Sequence, residues 1–453
     1  MEISVSGKKP LDGNNDRQRT ISRREFLERG VQLTSYLFFQ RLFPVFSNPE
    51  TPKNPVLSPL KEGRQIEYPP IFNRVLSILI ERHWNEDGNW SDDMMHDATS
   101  FAPMILYRLA QNRQLPLQER KKHQSMADKT VEYELRCLKG FLADQRKHLG
   151  EIKEVLSNAN PSSPGELAVK LTELGTTMGE NINLILEKGY PAISGSLALL
   201  EGLESYKGDA FKKREARNHM TAGLLLVNSL FLGINPESIQ KIMEKVGFSY
   251  TTANAFVAYA NFRMAEATGN RTWAQMGKIL LEKNCQNCWV EKEDYGYFKH
   301  SPKKESLEEI DQGSMLMALK KAHSLFPEKK QRYNWFAEKT LRTIRARLVV
   351  KQGKGKGGIL AWPKPKERLL ALSGSNTVLV GSAMWGDREL ATGIVDAMSV
   401  FIIPQGEKHE GLLAHHVYLD EEFPVNYACT GCNFLTLYGI HLLKTLDLKS
   451  ETI

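Results

Sequence analysis

The reading of the fold turns on Glu309-Ile310-Asp311-Gln312-Gly313-Ser314-Met315-Leu316-Met317-Ala318-Leu319, an acid-bearing start followed by small and apolar residues. It sits inside a helical segment predicted over 305–325. Outward from it, apolar residues recur mostly with a period of 3.6 from residue 71 onward. The period predicts helices over 71–84, 98–112, 126–156, 165–187, 191–206, 209–233, 236–247, 252–268 and 271–284, and again over 328–349, 388–402 and 430–446. Start signals such as Asn235-Pro236-Glu237 and Asn270 before Arg271-Thr272-Trp273 mark several of them. Connections such as Leu232-Gly-Ile-Asn-Pro236 and Ala267-Thr-Gly-Asn270 are short, which folds successive helices into antiparallel hairpins. The apolar run Thr221–Ile234 is too short to span a bilayer and carries Asn228 and Ser229, so it reads as a buried core helix. Residues 285–302 and 350–370 break the rhythm as loops or short hairpins, and no repeat of fixed period points to a solenoid.

Hairpins in this number, with long loops between them, fit an all-α (α/α) toroid. Inner and outer helices alternate there, and the loops at one end form a cleft. The 309–319 stretch resembles an inner helix of the six-hairpin glycosidase superfamily, where a D-Q-G-like start before small and apolar residues is common. The resemblance implies a carbohydrate-active enzyme with Asp311 facing the substrate.

Composition agrees with a folded body and excludes other classes. Of 453 residues, 41% are hydrophobic and 25% charged, which is not the balance of a disordered or collagen-like chain. The net charge of +7 is spread along the chain, without the clustering that nucleic-acid binding needs.

The first fifty residues read as an address. Ser22-Arg23-Arg24-Glu25-Phe26-Leu27 resembles a bacterial twin-arginine export signal with its final Lys replaced by Glu28. A basic stretch (Lys8, Lys9, Arg17, Arg19) precedes it, and a short apolar segment from Val31 to Phe46 follows. The expected organisation is a signal peptide over 1–47, a Pro-rich linker over 48–70 and one toroid domain over 71–453. The export machinery is then a partner, the protein works in the periplasm or stays tethered, and its only membrane contact is the signal.

Two C-x-x-C pairs, Cys285-Gln-Asn-Cys288 and Cys429-Thr-Gly-Cys432, each place two sulfurs on one turn. Two such knuckles brought together by tertiary contact would complete a structural zinc site. Disulfides within or across the pairs fit equally in an oxidising compartment. Cys137, on an amphipathic helix, reads as a buried free thiol.

Glycoside hydrolysis needs two carboxylates, with aromatic faces to stack on sugars. Trp84, Trp90, Asp93, His96 and Asp97 gather at a helix–loop–helix junction, although capping of the next helix also explains acids there. Asp93 or Asp97, with Asp311 or Asp387, would supply acid and base. His96 is a further catalytic candidate, and Trp84, Trp90, Tyr297, Trp362 and Trp385 would bind sugar rings. His415-His416 reads as an exposed pair. The Gly353–Gly358 loop lacks the flanking elements of a phosphate loop, and no G-x-S-x-G or H-E-x-x-H motif occurs. The competing reading is a non-catalytic exported helical protein that binds a partner or cell-wall component and is stabilised by its cysteines.

Overall fold

A computed structural model of the chain describes residues 66–90, 101–144 and 249–450 (365 and 366 excepted), with isolated helical positions between 150 and 231. The chain divides into two compact units, Met1–Ser47 and Asn48–Ile453, and every described residue belongs to the second. The signal, nearly all of the linker, the helices expected over 165–206 and 236–247, and the loop 91–100 fall outside the described residues.

The described helices are α1 (Pro70–Ile78), α2 (Ala102–Gln111), α3 (Leu117–Asp144), α4 (Tyr250–Thr268) and α5 (Arg271–Asn287). After them come α6 (Glu309–Leu325), α7 (Lys330–Thr343), α8 (Leu372–Trp385), α9 (Arg388–Ala397) and α10 (Thr430–Ser450). Two short antiparallel strand pairs interrupt them, the first a hairpin and the second formed across α8 and α9. One joins β1 (Trp289–Glu291) to β2 (Gly296–Phe298), and the other joins β3 (Leu369–Ala371) to β4 (His416–Tyr418). The predicted helix boundaries hold to within a few residues except at α3, which starts nine residues earlier than its period suggests. α8 lies where the periodicity shows no helix.

Local chemistry sets the hairpins. Ser249 caps α4, its hydroxyl accepting from Thr252 N, and Gly269 at φ 70° ends that helix. Asn270 at once caps α5 by accepting from Thr272 N. The chain therefore reverses within two residues.

Burial separates the helices into two layers. In α4, every residue from Tyr250 to Ala265 except Phe256 is buried, and in α8 everything from Gly374 to Ala383 is. Helices covered on all sides belong inside. By contrast, α9 buries only Leu390, Ala391, Ile394 and Ala397, a single stripe. α2, α4, α6, α8 and α10 are therefore inner helices, and α3, α5, α7 and α9 outer ones.

Neighbouring inner helices run parallel. Gly313 of α6 abuts Thr377 of α8, and further along both helices Leu316 abuts Gly381. Asn376 donates to Cys432 O at 3.0 Å, and about one turn further along α8 Leu379 and Val380 meet Gly439 of α10. Between α4 and α6, Thr252 reaches Asp311 near their starts and Glu266 reaches Lys321 near their ends. The N-termini of α4, α6, α8 and α10 thus gather at one end, where the returning connections 288–308, 344–371 and 398–429 also arrive.

His441, buried in α10, shows what this interior costs a charge. Its Nδ1 meets Tyr68 Oη at 2.8 Å. Burial, helped by the charge of Arg108, lowers its pKa to about 3. The unfolded chain takes up this proton near pH 6.5 and the folded chain does not, so His441 stabilises the fold fully above that pH. The contribution drains as pH falls, by about 2 kcal/mol at pH 5 for this group alone. Urea midpoints at pH 7.5 and pH 5 should show that loss, and it should shrink in His441→Gln.

Candidate active site

Asp311, Gln312 and Gly313, in the first turn of α6, each do a different job. Asp311 is completely buried. Its Oδ1 accepts from Thr252 Oγ1 at 2.8 Å and from Ser249 Oγ. The hydroxyl that caps α4 therefore also holds a carboxylate of α6. Gln312 clasps β2, accepting from Phe298 N at 2.9 Å and donating to Phe298 O at 2.7 Å. Gly313 lets α8 approach, because a Cβ there would lie 2.5 Å from Val378 N.

By clasping β2, Gln312 fixes where the chain leaves the strand, and two residues on stands His300. The loop closes through His300 N donating to Ser306 O at 3.1 Å. His300 Nδ1 lies 3.0 Å from Glu308 Oε2 and 3.6 Å from Asp311 Oδ2. One donor atom from each of His300, Glu308 and Asp311 falls within 4.8 Å of the other two, and among the described residues no other trio of His, Cys, Asp and Glu does so. Glu308 Oε1 accepts from Ser306 Oγ at 3.0 Å and faces Lys304 Nζ at 3.9 Å.

The electrostatics follow from burial opposed by pairing. Burial pulls the His300 pKa down, but the two carboxylates outweigh it and raise it to about 9. Burial raises Asp311, and His300 only partly offsets this. Glu308 ends lowered, because pairing with His300 overcomes its burial. Glu309, next in sequence, is sealed against α8 and held well above the carboxylate range by burial, with the charges of Glu308 and Asp311 adding to it. A Cβ at Gly374 would sit 2.0 Å from Glu309 Cγ, so the carboxyl occupies the space that this glycine leaves.

Of the group, Glu308 keeps contact with solvent, with 19% of its side chain exposed against none for Asp311. Trp362 and Tyr297 stand at this end of the helices. Glu309 N donates to Ala361 O beside Trp362, and Tyr297 Oη donates to Glu305 at 3.3 Å. The Trp84–Trp90 loop is here too, but Trp90 is buried edge-on against Phe434 and donates to Thr130 at 3.0 Å. That makes Trp90 a core residue. His415 and His416 precede α8 in space, since Leu372 N donates to His415 O at 2.8 Å. Their Nδ1 atoms are 3.0 Å apart and they are half-buried rather than exposed. Burial and its neighbour's charge lower His415 to about 4.

Other expected residues lie elsewhere. Asp387 caps α9, accepting from Leu390 N at 3.3 Å and pairing with Arg345. It follows the C-terminus of α8, whose 14 residues put ~20 Å between it and the end that holds Asp311. Asp311 and Asp387 cannot form one acid–base pair. Trp385 shares that far end, donating to Leu316 O at 2.9 Å with Lys320 Nζ 4.6 Å from its ring centre. Asp93, His96 and Asp97 fall outside the described residues.

None of the five cysteines is disulfide-bonded, and no three of them come together. Cys285 and Cys288 close α5 and are buried, with Cys288 pushed up to about 11 by that burial. Cys429 and Cys432 open α10, where Cys432 N donates to Cys429 Sγ at 3.2 Å. α6 and α8 stand between the two pairs, so the four sulfurs do not assemble a single site. Cys137 is exposed on α3 rather than buried.

Among solved structures, a sugar epimerase from a ruminal bacterium is similar over 83% of this chain and 97% of its own, with a TM-score of 0.52 and 10% identity. The fold is an (α/α) toroid. A polysaccharide lyase (84% of this chain, 97% of its own, TM-score 0.49, 11% identity) is similar more loosely. So is a GH76 α-mannanase from Bacteroides thetaiotaomicron (84% and 96%, TM-score 0.48, 9% identity). No protein-family model matches the chain, and no curated protein does.

Sequence reading missed His300 and Glu308. The pair Glu308 and Asp311, three apart at a helix start, was a visible signal, whereas His300 joins them only through the β2 loop.

Proposed function

We propose that the protein is a carbohydrate-active enzyme, a polysaccharide lyase or glycoside hydrolase, acting at the end of the toroid where the inner helices begin. The observation that carries this reading is the convergence of His300, Glu308 and Asp311 at that end. The toroid it shares with a sugar epimerase supports the substrate class.

Both reactions move protons at a sugar carbon or glycosidic oxygen, so a group that can give or take a proton has to reach the substrate. Glu308 can, while Asp311 is sealed and acts by positioning His300 and Glu308. A second carboxylate comes from Asp93 or Asp97 in this reading, and Trp362 and Tyr297 supply ring-stacking faces.

The test is turnover of a panel of uronate-containing and neutral polysaccharides. Ultraviolet absorbance of unsaturated uronates reports a lyase, and new reducing ends without that absorbance report a hydrolase. Glu308→Gln should lower kcat/KM by about 10²–10⁴-fold, the range for losing one proton-transfer group. An active wild type matched by an equally active Glu308→Gln would sink the assignment. The reading also takes the protein out of the cytoplasm by the twin-arginine route, on Ser22–Leu27, and fractionation of cells expressing the full chain tests it.

A further inference from the structure

We propose that His300, Glu308 and Asp311 bind one divalent first-row metal cation, held by His300 Nδ1, Glu308 Oε2 and Asp311 Oδ2 with a fourth position open. The inference rests on the reading above for the site's place and replaces the proton-transfer role of Glu308 by that of a ligand, and it stands on the geometry of the trio alone.

The donor spacing comes first. A tetrahedral cation with bonds of about 2.0–2.1 Å separates its ligands by about 3.3 Å. The two nitrogen–oxygen separations, 3.0 and 3.6 Å, bracket that value. Alignment points the same way. Nδ1 is paired with both oxygens by distance, but among the described residues neither it, nor His300 Nε2, nor the wholly buried Asp311 Oδ2 has a well-aligned hydrogen bond. Unsatisfied buried donors and acceptors are costly unless something between them is shared.

The outer contacts of the two carboxylates have the pattern of a ligand shell. Each carboxylate turns one oxygen to the centre and has the other held by hydroxyls, Asp311 Oδ1 by Ser249 and Thr252 and Glu308 Oε1 by Ser306. Such second contacts fix the orientation of metal ligands. One imidazole and two carboxylates suit a borderline divalent ion such as zinc or manganese. Three protein ligands with an open position is the arrangement of a reacting metal rather than a closed structural one. Cys288, electrostatically coupled to Asp311, is held neutral by burial and is not part of the trio.

The experiment is titration of the reduced, chelator-treated full chain with Zn²⁺ by calorimetry and with Co²⁺ by absorbance. One equivalent is expected, with visible cobalt bands and no near-ultraviolet thiolate band. Glu308→Gln, at a half-buried loop position, should weaken binding at least about 100-fold. Thr252→Val should weaken it about 10–100-fold, as loss of a supporting contact does. Cys429→Ser/Cys432→Ser should bind as the wild type does.

No binding by the wild type overturns the proposal, as does a thiolate band or unchanged affinity in Glu308→Gln. Metal bound without sugar turnover leaves the metal site standing and removes the enzyme reading. Turnover that depends on Glu308 in a protein that binds no metal does the reverse.

Discussion

Gly313→Ala should destabilise the protein by about 3 kcal/mol or more, the upper range for forcing a methyl group into a filled core. The new Cβ would sit 2.3 Å from Thr377 Oγ1, 2.5 Å from the Thr377 carbonyl carbon and 2.5 Å from Val378 N. Two of these are backbone atoms of α8, which cannot swing aside as a side-chain end can. The helix as a whole would have to move, and α8 is wedged on its other side by Gly439 of α10 against Leu379. Helix propensity favours Ala over Gly by about 1 kcal/mol, so the contact has to overcome that gain before any loss is seen. Gly140→Ala supplies the control, because among the described residues nothing lies within 4 Å of a Cβ there. It should be neutral or stabilising. Urea unfolding of both variants decides the matter, and a Gly313→Ala protein as stable as wild type would mean that α6 and α8 do not approach this closely.

The same close packing of α6 on α8 explains why part of the fold was legible and part was not. Outer helices show their period because only one face is covered, as in α7, where Tyr333, Phe336, Ala337, Thr340 and Leu341 form the stripe. α8 is buried almost all round and is built from Leu372-Ser-Gly-Ser-Asn-Thr-Val-Leu-Val-Gly-Ser-Ala-Met-Trp385. It has no polar face to set a phase, and its glycines and β-branched residues argue locally against a helix. Tertiary packing overrides them. Gly374 and Gly381 are where Glu309 and Leu316 of α6 press in.

At the site, the Asp311-Gln312-Gly313 signal was readable, but Asp387 stood beside Asp311 as an equal candidate for the same role. An acid before a helix looks the same whether it faces a cleft or caps an outer helix, and Asp387 does the second. His300 was invisible because its approach to Asp311 depends on Gln312 clasping Phe298.

Asp311→Ala is expected to destabilise the chelator-treated protein by about 3–5 kcal/mol, the usual result of removing one member of a buried ion pair. The methyl leaves Ser249 Oγ and Thr252 Oγ1 without the acceptor that both now share. It also leaves His300 with Glu308 as its remaining anion, in a site that excludes all but a small share of solvent. Asp311→Asn separates the two losses. The amide keeps an oxygen for the hydroxyls but carries no charge, so its cost should fall to about 1–3 kcal/mol. Ser249→Ala should cost more than Thr252→Val, because Ser249 also caps α4 through Thr252 N at 2.8 Å. A double-mutant cycle between Asp311→Asn and Glu308→Gln then measures whether the carboxylates act through His300 as one unit, with a coupling of about 0.5–3 kcal/mol expected for groups in contact. An Asp311→Ala protein that unfolds at the wild-type urea concentration would remove Asp311 from any supporting role. Its burial would then be incidental, and Glu308 with His300 would have to hold their geometry without it.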